Sequence, residues 1–477
     1  GYNTNFYMAP DKAYGSPEDY KDFIEECHRQ GIAVILDIVF NQSDGLHPWY
    51  QMYPIDTNPM YNKEAPHAWS VLNDWNQGHP LVQQQWTDAL VYWLEKYNVD
   101  GFRFDLVKGL GDNDSYADGT DAYNQSRIDR MIRLHNVIKS VKPDGIHINE
   151  LLSGAAEEKV LGNDGQIQWA NISDASCQYT MGWDDGDNKL SRFLASSDGG
   201  RPWGSTISYA ESHDEQRMGF KSESFGKSPV PDDPVVRYNR LAALAVQMLM
   251  TPGPKMVWQF GEFGNSQNAK SKPDGGGDND TSPKIVNWTE WLADPQMTFL
   301  KGIYAAMVSL RVDNPELMAR KATFTASKIT APFNEPRSLR LSTGDKEVVA
   351  FINPAVEGSD VDITVKTRTL CADNSKLICA SAGFKPALTG AVGEAKVTVP
   401  ANGFAVYSTV SVTGVESPVS EASVVSVYGG RGEIVVDGEY DAVSVYDLSG
   451  RMMPSLRVPA GIYIVNVDGA VSKVAVR

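Results

Sequence analysis

The 477 residues predict an α/β fold, a parallel sheet wrapped by helices and followed by an antiparallel β region. Three observations carry this. Amphipathic helical patterns alternate with short, near-continuous apolar runs as far as about Phe260. A strand apolar on both faces is the mark of a parallel sheet covered by helices. Polar residues gather where those runs end. From about Phe324 the pattern changes to short strands of period two. Alternation of the first kind gives a βα barrel or a doubly wound sheet.

Ser16-Pro17-Glu18-Asp19 opens the first helix, with Ser as N-cap, Pro at the first helical position and acids in the first turn. It runs to about Arg29, Gly31 breaks it, and IAVILDIVF follows as a strand ending in Asn41-Gln42. Helix Leu81–Tyr97 leads to strand Gly101–Val107, and helix Ser126–Val141 leads through Pro143-Asp144-Gly145 to strand Ile146–Leu152. A short strand is expected at Gln166–Ala170. Strand Thr206–Ser212 ends in His213-Asp214, and helix Val235–Met250 leads through Thr251-Pro252-Gly253-Pro254 to strand Lys255–Phe260. That makes six strands, whereas a closed βα barrel needs eight. The N-terminus GYNTNFYMAP reads as an internal start, so two more strands are expected upstream. With two open edges, the 477 residues alone are expected to be unstable or inactive.

Composition narrows the function. Hydrophobic residues make up 42% and aromatics 10%, as in a globular protein. The net charge of −17 argues against nucleic acid, which needs a basic footprint. No run of eighteen apolar residues is present, so no membrane-spanning helix is expected. Eleven Trp and twenty Tyr offer flat faces that suit sugar rings as well as core packing. Cys27 and Cys177 read as free thiols, while Cys371 and Cys379, separated by ADNSKLI, suggest a hairpin disulfide.

The chemistry centres on VDGFRFDLVK, Val99–Lys108. Phe102, Phe104 and Leu106 alternate with Arg103 and Asp105, so the two charges share one face of a strand. A guanidinium beside a buried carboxylate is expected to keep it ionised and lower its pKa, as a nucleophile requires. An ordinary buried ion pair is the competing reading. Asp37, Asn41, Glu150, His213 and Asp214 lie at the ends of other strands, the edge where βα barrels place their chemistry. Asp105, Glu150 and Asp214 would converge there. Glycoside cleavage needs a nucleophile and an acid/base, and neighbouring charges would keep Glu150 protonated. A metal site of the same acids is the rival, but no close His/Asp cluster has ligand spacing.

Four of these stretches resemble, in order, the signatures of the α-amylase superfamily of retaining glycoside hydrolases, glycoside hydrolase family 13. They are DIVFNQ (Asp37–Gln42), GFRFDLVKG (Gly101–Gly109), HINELL (His147–Leu152) and AESHDE (Ala210–Glu215). The resemblance covers roughly residues 1–410. It implies a (β/α)8 TIM barrel, here holding strands three to eight, over residues 1–322, and an antiparallel β-sandwich over 323–410.

The resemblance also implies the roles. Asp105 would be the nucleophile, Glu150 the general acid/base, and Asp214 a transition-state stabiliser bound to sugar hydroxyls. Arg103 would orient Asp105, while His213, Tyr2, Lys108 and position 42 would contact sugar. Asp37 and Asn41 would support loop structure, and in many relatives that Asn also binds calcium. Two positions depart from the pattern. Gln42 replaces the usual His, keeping a donor but not a protonatable one. Gly109 replaces a residue that helps hold the calcium in many relatives. No cofactor is implied for the chemistry, and Gly109 argues against calcium at that position. The acidic loop Asp274–Asp280, DGGGDND, reads as a solvated loop rather than a cation site.

Residues 411–477 begin with a Val/Ser/Glu-rich linker and continue through VYDLSGR, GIYIV and a basic end at Arg477. They resemble the C-terminal sorting domain of the type IX secretion pathway, a second small β-sandwich. That implies secretion to the exterior or cell surface, with the secretion machinery as partner. The implied activity is hydrolysis of α-1,4-glucan. Branching-type transglycosylation is the alternative, because Glu211-Ser212-His213-Asp214 resembles branching enzymes, and a glycan-binding barrel without turnover is a third reading.

Overall fold

The structure, a computed structural model, describes residues 1–477 apart from 68–70, 112–121, 185–189, 195–198, 270–283, 413–425, 438–439, 441, 448–450, 468–469 and 477. The loop Asp274–Asp280, most of the linker and Arg477 therefore lie outside the described residues. The chain divides into two compact units, Gly1–Glu416 and Ser417–Arg477.

In the first unit, α1 (Pro17–Arg29) starts with a full capping box: Ser16 accepts from the Asp19 backbone and Asp19 answers on the Ser16 backbone. Strand β1 (Ile35–Val39) follows, then α2 (Pro80–Tyr97), β2 (Gly101–Asp105), α3 (Gln125–Val141), β3 (Ile146–Asn149) and α4 (Ala155–Asp164). Next come β4 (Ile167–Asn171), α5 (Ser173–Met181), β5 (Thr206–Tyr209), α6 (Pro234–Met250), β6 (Lys255–Met256) and α7 (Pro295–Asp313). The six strands form one parallel sheet in the order β1-β2-β3-β4-β5-β6. A doubly wound sheet reverses its order at a switch point. The strictly sequential order here is that of a βα-barrel wall, and the described residues supply six of the eight strands that the sequence led us to expect.

Five strands, β1, β2, β3, β5 and β6, are shorter than their apolar runs, and the turns that end β5 and β6 shape the site. β5 stops at Tyr209, because the chain turns beyond it: the Glu215 N–H donates to Ser212 O at 3.2 Å and the Met218 N–H to the Glu211 carboxylate at 2.6 Å. β6 stops at Met256, where the Gly261 N–H closes a turn on Trp258 O and Phe260 takes φ +67°. Gly101 is forced by a close approach, since a Cβ there would meet Ile146 O at 2.0 Å.

The antiparallel region has β7 (Thr323–Ser327), β8 (Arg337–Thr343), β9 (Lys346–Asn353), β10 (Val361–Lys366), β11 (Lys376–Ala380), β12 (Glu394–Val399) and β13 (Gly403–Ser408). A five-stranded sheet, β11-β13-β9-β8-β7, faces the β10–β12 ribbon across a core of Val349, Phe351, Ile363, Val365, Val397 and Tyr407. Its other face packs on α6 and α7. Covered on both sides, α6 is buried continuously from Arg237 to Met250. Arg240, 1% exposed, pins the layers together. Its guanidinium donates to Tyr179 O at 2.5 Å, Thr180 O at 3.1 Å, Pro354 O at 2.6 Å and Asn402 Oδ1 at 2.9 Å.

The expected Cys371–Cys379 disulfide is absent; both thiols are free. β11 turns Cys379 toward α7, where its sulfur lies 4.0 Å from Met307 Sδ. The second unit holds the ribbon β14 (Ser426–Gly429) and β15 (Ile434–Asp437), and the antiparallel sheet β16 (Val443–Asp447), β17 (Gly461–Val467) and β18 (Ala470–Val476). These share an apolar core that includes Ile434, Val445, Tyr463 and Val465. Among the described residues no helix is long and apolar enough to cross a membrane.

Candidate active site

The site is built on the β1–β2 register, which sets Asp37 opposite Arg103 and Val39 opposite Asp105. Strand alternation sends Phe102 and Phe104 into the core, 0% and 1% exposed, and leaves Arg103 and Asp105 on the other face. Arg103 Nη1 donates to Asp105 Oδ1 at 2.6 Å and to Asp37 Oδ1 at 2.8 Å. Its Nη2 lies 3.0 Å from Glu150 Oε2, an ion-pair contact whose angle falls outside hydrogen-bond geometry. One guanidinium thus gathers three carboxylates from β1, β2 and the end of β3.

Glu150 follows β3 and continues its ladder, its N–H donating to Phe104 O at 2.9 Å. Leu106 turns left-handed directly after β2, at φ +42°, and so aims its N–H at Glu150 Oε2, 2.8 Å away. A non-glycine residue held there is strained, and strain of this kind collects at functional sites.

An aromatic wall closes the cluster. The Arg103 guanidinium lies 4.1 Å above the Trp169 ring and 5.9 Å from the Tyr2 ring. Tyr2 stacks on His213 at 5.0 Å with an interplanar angle of 13°, and His213 meets Trp169 edge-on at 6.4 Å. The Tyr2 hydroxyl donates to Asp37 Oδ2 at 2.7 Å. His213 Nε2 lies 3.3 Å from Asp214 Oδ1.

Burial grades the acids. The side chains of Asp105 and Glu150 are 12% and 15% exposed, against 41% for Asp37 and 56% for Asp214. The Asp105 carboxyl is raised to about 7. Burial is the main cause, the charges of Glu150 and Asp37 add to it, and Arg103 opposes them. The net rise corrects the expectation of a lowered carboxyl, although Arg103 itself pulls it down. The guanidinium is shared among three acids, so its pull on any one of them does not offset desolvation. Glu150 is also raised, as expected, but burial leads, with Asp214 and Asp37 as the contributing charges, while Arg103 and the Leu106 N–H oppose. Arg103 itself is raised: burial disfavours its charge, and Asp37, Glu150 and Asp105 together outweigh that.

The remaining candidates stand around this cluster. Gln42 is 2% exposed, and its amide is used inside the protein: it accepts from Asn41 Nδ2 at 2.7 Å and donates to Tyr2 O at 3.4 Å. Lys108 sits on a 3-10 turn, Val107–Leu110, beyond β2, and its carbonyl accepts from Arg127. Asn41 is fully buried, and its Oδ1 has no hydrogen-bond partner among the described residues. That oxygen fills the place of a side chain at Gly109, where a Cβ would stand 1.6 Å from it. A side chain at position 109 would collide with that oxygen. Among the described residues no group of three or more His, Cys, Asp or Glu side chains is arranged to hold a metal. Trp169 is the participant that sequence reasoning missed; a lone aromatic on a short strand carries no motif.

A cleft of about 930 Å³ runs along β1 past Tyr14, Tyr20 and Trp93, and of the acid cluster only Asp37 lines it. The carboxylates, not that cleft, define the candidate site.

Fold and site together define a βα-barrel protein with paired carboxylates at the C-terminal strand ends. A family model, "Alpha amylase, catalytic domain", matches residues 1–69 and 66–298, more than half of the chain. The chain belongs to the α-amylase family. A 1,4-alpha-glucan branching enzyme from Lactobacillus acidophilus is 28% identical over 298 residues, 55% of this chain and 43% of that relative. A glycogen debranching enzyme from Serratia proteamaculans is 27% identical over 373 residues, 66% of this chain and 52% of the relative. The chain thus spans about half the length of these curated relatives. Among solved structures, an α-amylase from H. orenii shares the fold with a TM-score of 0.63 at 17% identity, covering 86% of each chain. An α-amylase from Geobacillus thermoleovorans does so with a TM-score of 0.61 at 19% identity, covering 86% of this chain and 84% of the other.

Proposed function

We propose that the protein is a retaining α-glucan hydrolase that cleaves α-1,4-glucosidic bonds by double displacement. The observation that carries this is the single Arg103 guanidinium in contact with both Asp105 and Glu150. Bridging by one guanidinium suits the roughly 5–5.5 Å separation of retaining enzymes. Asp105 attacks the anomeric carbon as Glu150 gives its proton to the departing glucosyl oxygen, leaving a glycosyl ester on Asp105. Glu150, now ionised, takes a proton from water, which attacks the same carbon and frees Asp105. Asp214 and His213 hold sugar hydroxyls, and Arg103 orients the nucleophile. The cycle needs one carboxyl ionised and the other protonated. Two raised carboxyls coupled through one cation favour that state, since the first proton lost makes the second harder to remove.

The test is release of reducing ends from starch by the full chain. Steady release supports hydrolysis. Binding of starch with no bond cleaved would leave only a glycan-binding barrel. A second reading, transfer to a sugar acceptor, is favoured by the branching-enzyme relatives and by the Glu211–Asp214 stretch. New branch points formed without a rise in reducing ends would select it.

We also infer that residues 417–477 serve as a sorting domain for export to the cell exterior. The support is the VYDLSGR and GIYIV stretches and the independent core of that unit. Deleting residues 417–477 should retain the protein inside the producing cell; export at the full-length level would refute the inference.

A further inference from the structure

Arg103 is tethered from one side. Nη1 makes both of its hydrogen bonds, to Asp37 and Asp105, while Nε and Nη2 are buried with no hydrogen-bond partner among the described residues. Hydrogen bonds at a single nitrogen, with only a misaligned ion-pair contact from Nη2 to Glu150, leave a planar group free to tilt. What opposes the tilt is a face. The Trp169 ring centre lies 4.1 Å from the guanidinium carbon, well inside the roughly 6 Å reach of a cation–π contact. Trp169 is itself fixed: it is 7% exposed, pairs with Ile207 in the sheet and meets the Tyr209 ring at 5.1 Å.

We propose that Trp169 is a positioning residue whose indole face sets the plane of the Arg103 guanidinium, and through it the placement of the Asp105 and Glu150 carboxylates. The proposal rests on the retaining reading above. The charged and titratable groups facing Arg103 are Asp37 on β1, Asp105 on β2, Glu150 after β3 and Tyr2 near the N-terminus, with Tyr209 and Asp214 further out. Arg103 lowers both Asp105 and Glu150, so a guanidinium that tilts away lets both rise.

The experiment compares Trp169→Phe, which keeps an aromatic face, with Trp169→Met, which keeps apolar bulk without one, in the full chain. Trp169→Met should lower kcat on soluble α-glucan about tenfold with KM within about twofold, and move the acidic limb of kcat/KM to higher pH; Trp169→Phe should stay within about threefold of wild type with its limb in place. Carbon-13 NMR titration of the Asp105 carboxyl reads the same shift without turnover: upward in Trp169→Met, unmoved in Trp169→Phe. Equal losses in both variants, a rise in KM alone, or a downward carboxyl shift would overturn the proposal, pointing respectively to bulk, direct sugar contact or simple exclusion of water. Should Trp169→Met fail to fold, Trp169→Leu takes its place; failure of both assigns Trp169 a purely structural role and also overturns the proposal. Wild-type protein inert on α-glucans would sink the functional reading, while the carboxyl titration would still decide the role of Trp169.

Discussion

Two buried arginines show how differently this fold uses the same side chain. Arg103 and Arg240 are 4% and 1% exposed, and each lies near an aromatic ring, Trp169 at 4.1 Å and Tyr179 at 5.4 Å. Arg103 is answered by three carboxylates, Arg240 by backbone carbonyls and two asparagines. Their pKa values move in opposite directions accordingly. Arg103 rises, whereas burial pulls Arg240 down to about 10, still charged at neutral pH. Carbonyl dipoles satisfy a cation without creating a second titratable group, so Arg240 can act as a pin at any ordinary pH. Carboxylates tie the cation to protons, so the state of the Arg103 cluster changes with pH.

The sharpest way to break this comparison is at the acids. Asp105→Asn should lower turnover on starch by about 10⁴-fold or more, and it should equally abolish glycosyl-enzyme formation from an activated glycosyl fluoride. Glu150→Gln should cost roughly 10²–10⁴-fold on starch yet spare the fluoride, whose departure needs no proton. Reversed behaviour would mean the two roles are interchanged.

Arg240→Met should act on stability alone. It strands five acceptors around α6, on α5 and in the antiparallel region, and we expect a loss of roughly 2–4 kcal/mol in denaturant unfolding with kcat nearly unchanged. A large fall in kcat with normal stability would erase the distinction drawn here.

The smallest effect is linked to pH. Asp105 binds its proton more tightly folded than unfolded, so between about pH 4 and about pH 7 the native state holds the extra proton. The stability this provides is full below the unfolded value and is lost as pH rises through the folded one. Asp105→Asn should flatten that decline and, at neutral pH, melt higher than wild type, by on the order of 1 kcal/mol once the lost Arg103 contact is set against it. Parallel stability curves for the two proteins from pH 4 to 7 would show that Asp105 is not the group responsible.

How much of this the sequence discloses depends on the range of the interaction. The alternation in Val99–Lys108 suffices to put Arg103 and Asp105 on one face, and the Ser16–Asp19 cap is purely local. Helix–strand alternation gives the parallel sheet but leaves barrel and doubly wound orders open, and the assembled sheet shows the sequential order. Net electrostatics does not, because the raised Asp105 depends on burial and on two acids from other strands competing for the same guanidinium. Trp169 is one of eleven tryptophans, and only the assembled sheet brings it over Arg103. Spacing suggested a Cys371–Cys379 pairing, but strand direction sent Cys379 to Met307 instead. His213 and Asp214 lie past the end of β5 because the Glu211 carboxylate and Ser212 carbonyl reach forward to shape the turn.

The interlock of Asn41 with Gly109 has a consequence for substitution. With 1.6 Å between the asparagine oxygen and the point where a methyl group would begin, a side chain at 109 requires Asn41 to shrink or turn. The two sites are therefore coupled through one contact. In a double-mutant cycle, Asn41→Ala should recover part of the stability lost in Gly109→Ala, a positive coupling that independent positions would not show.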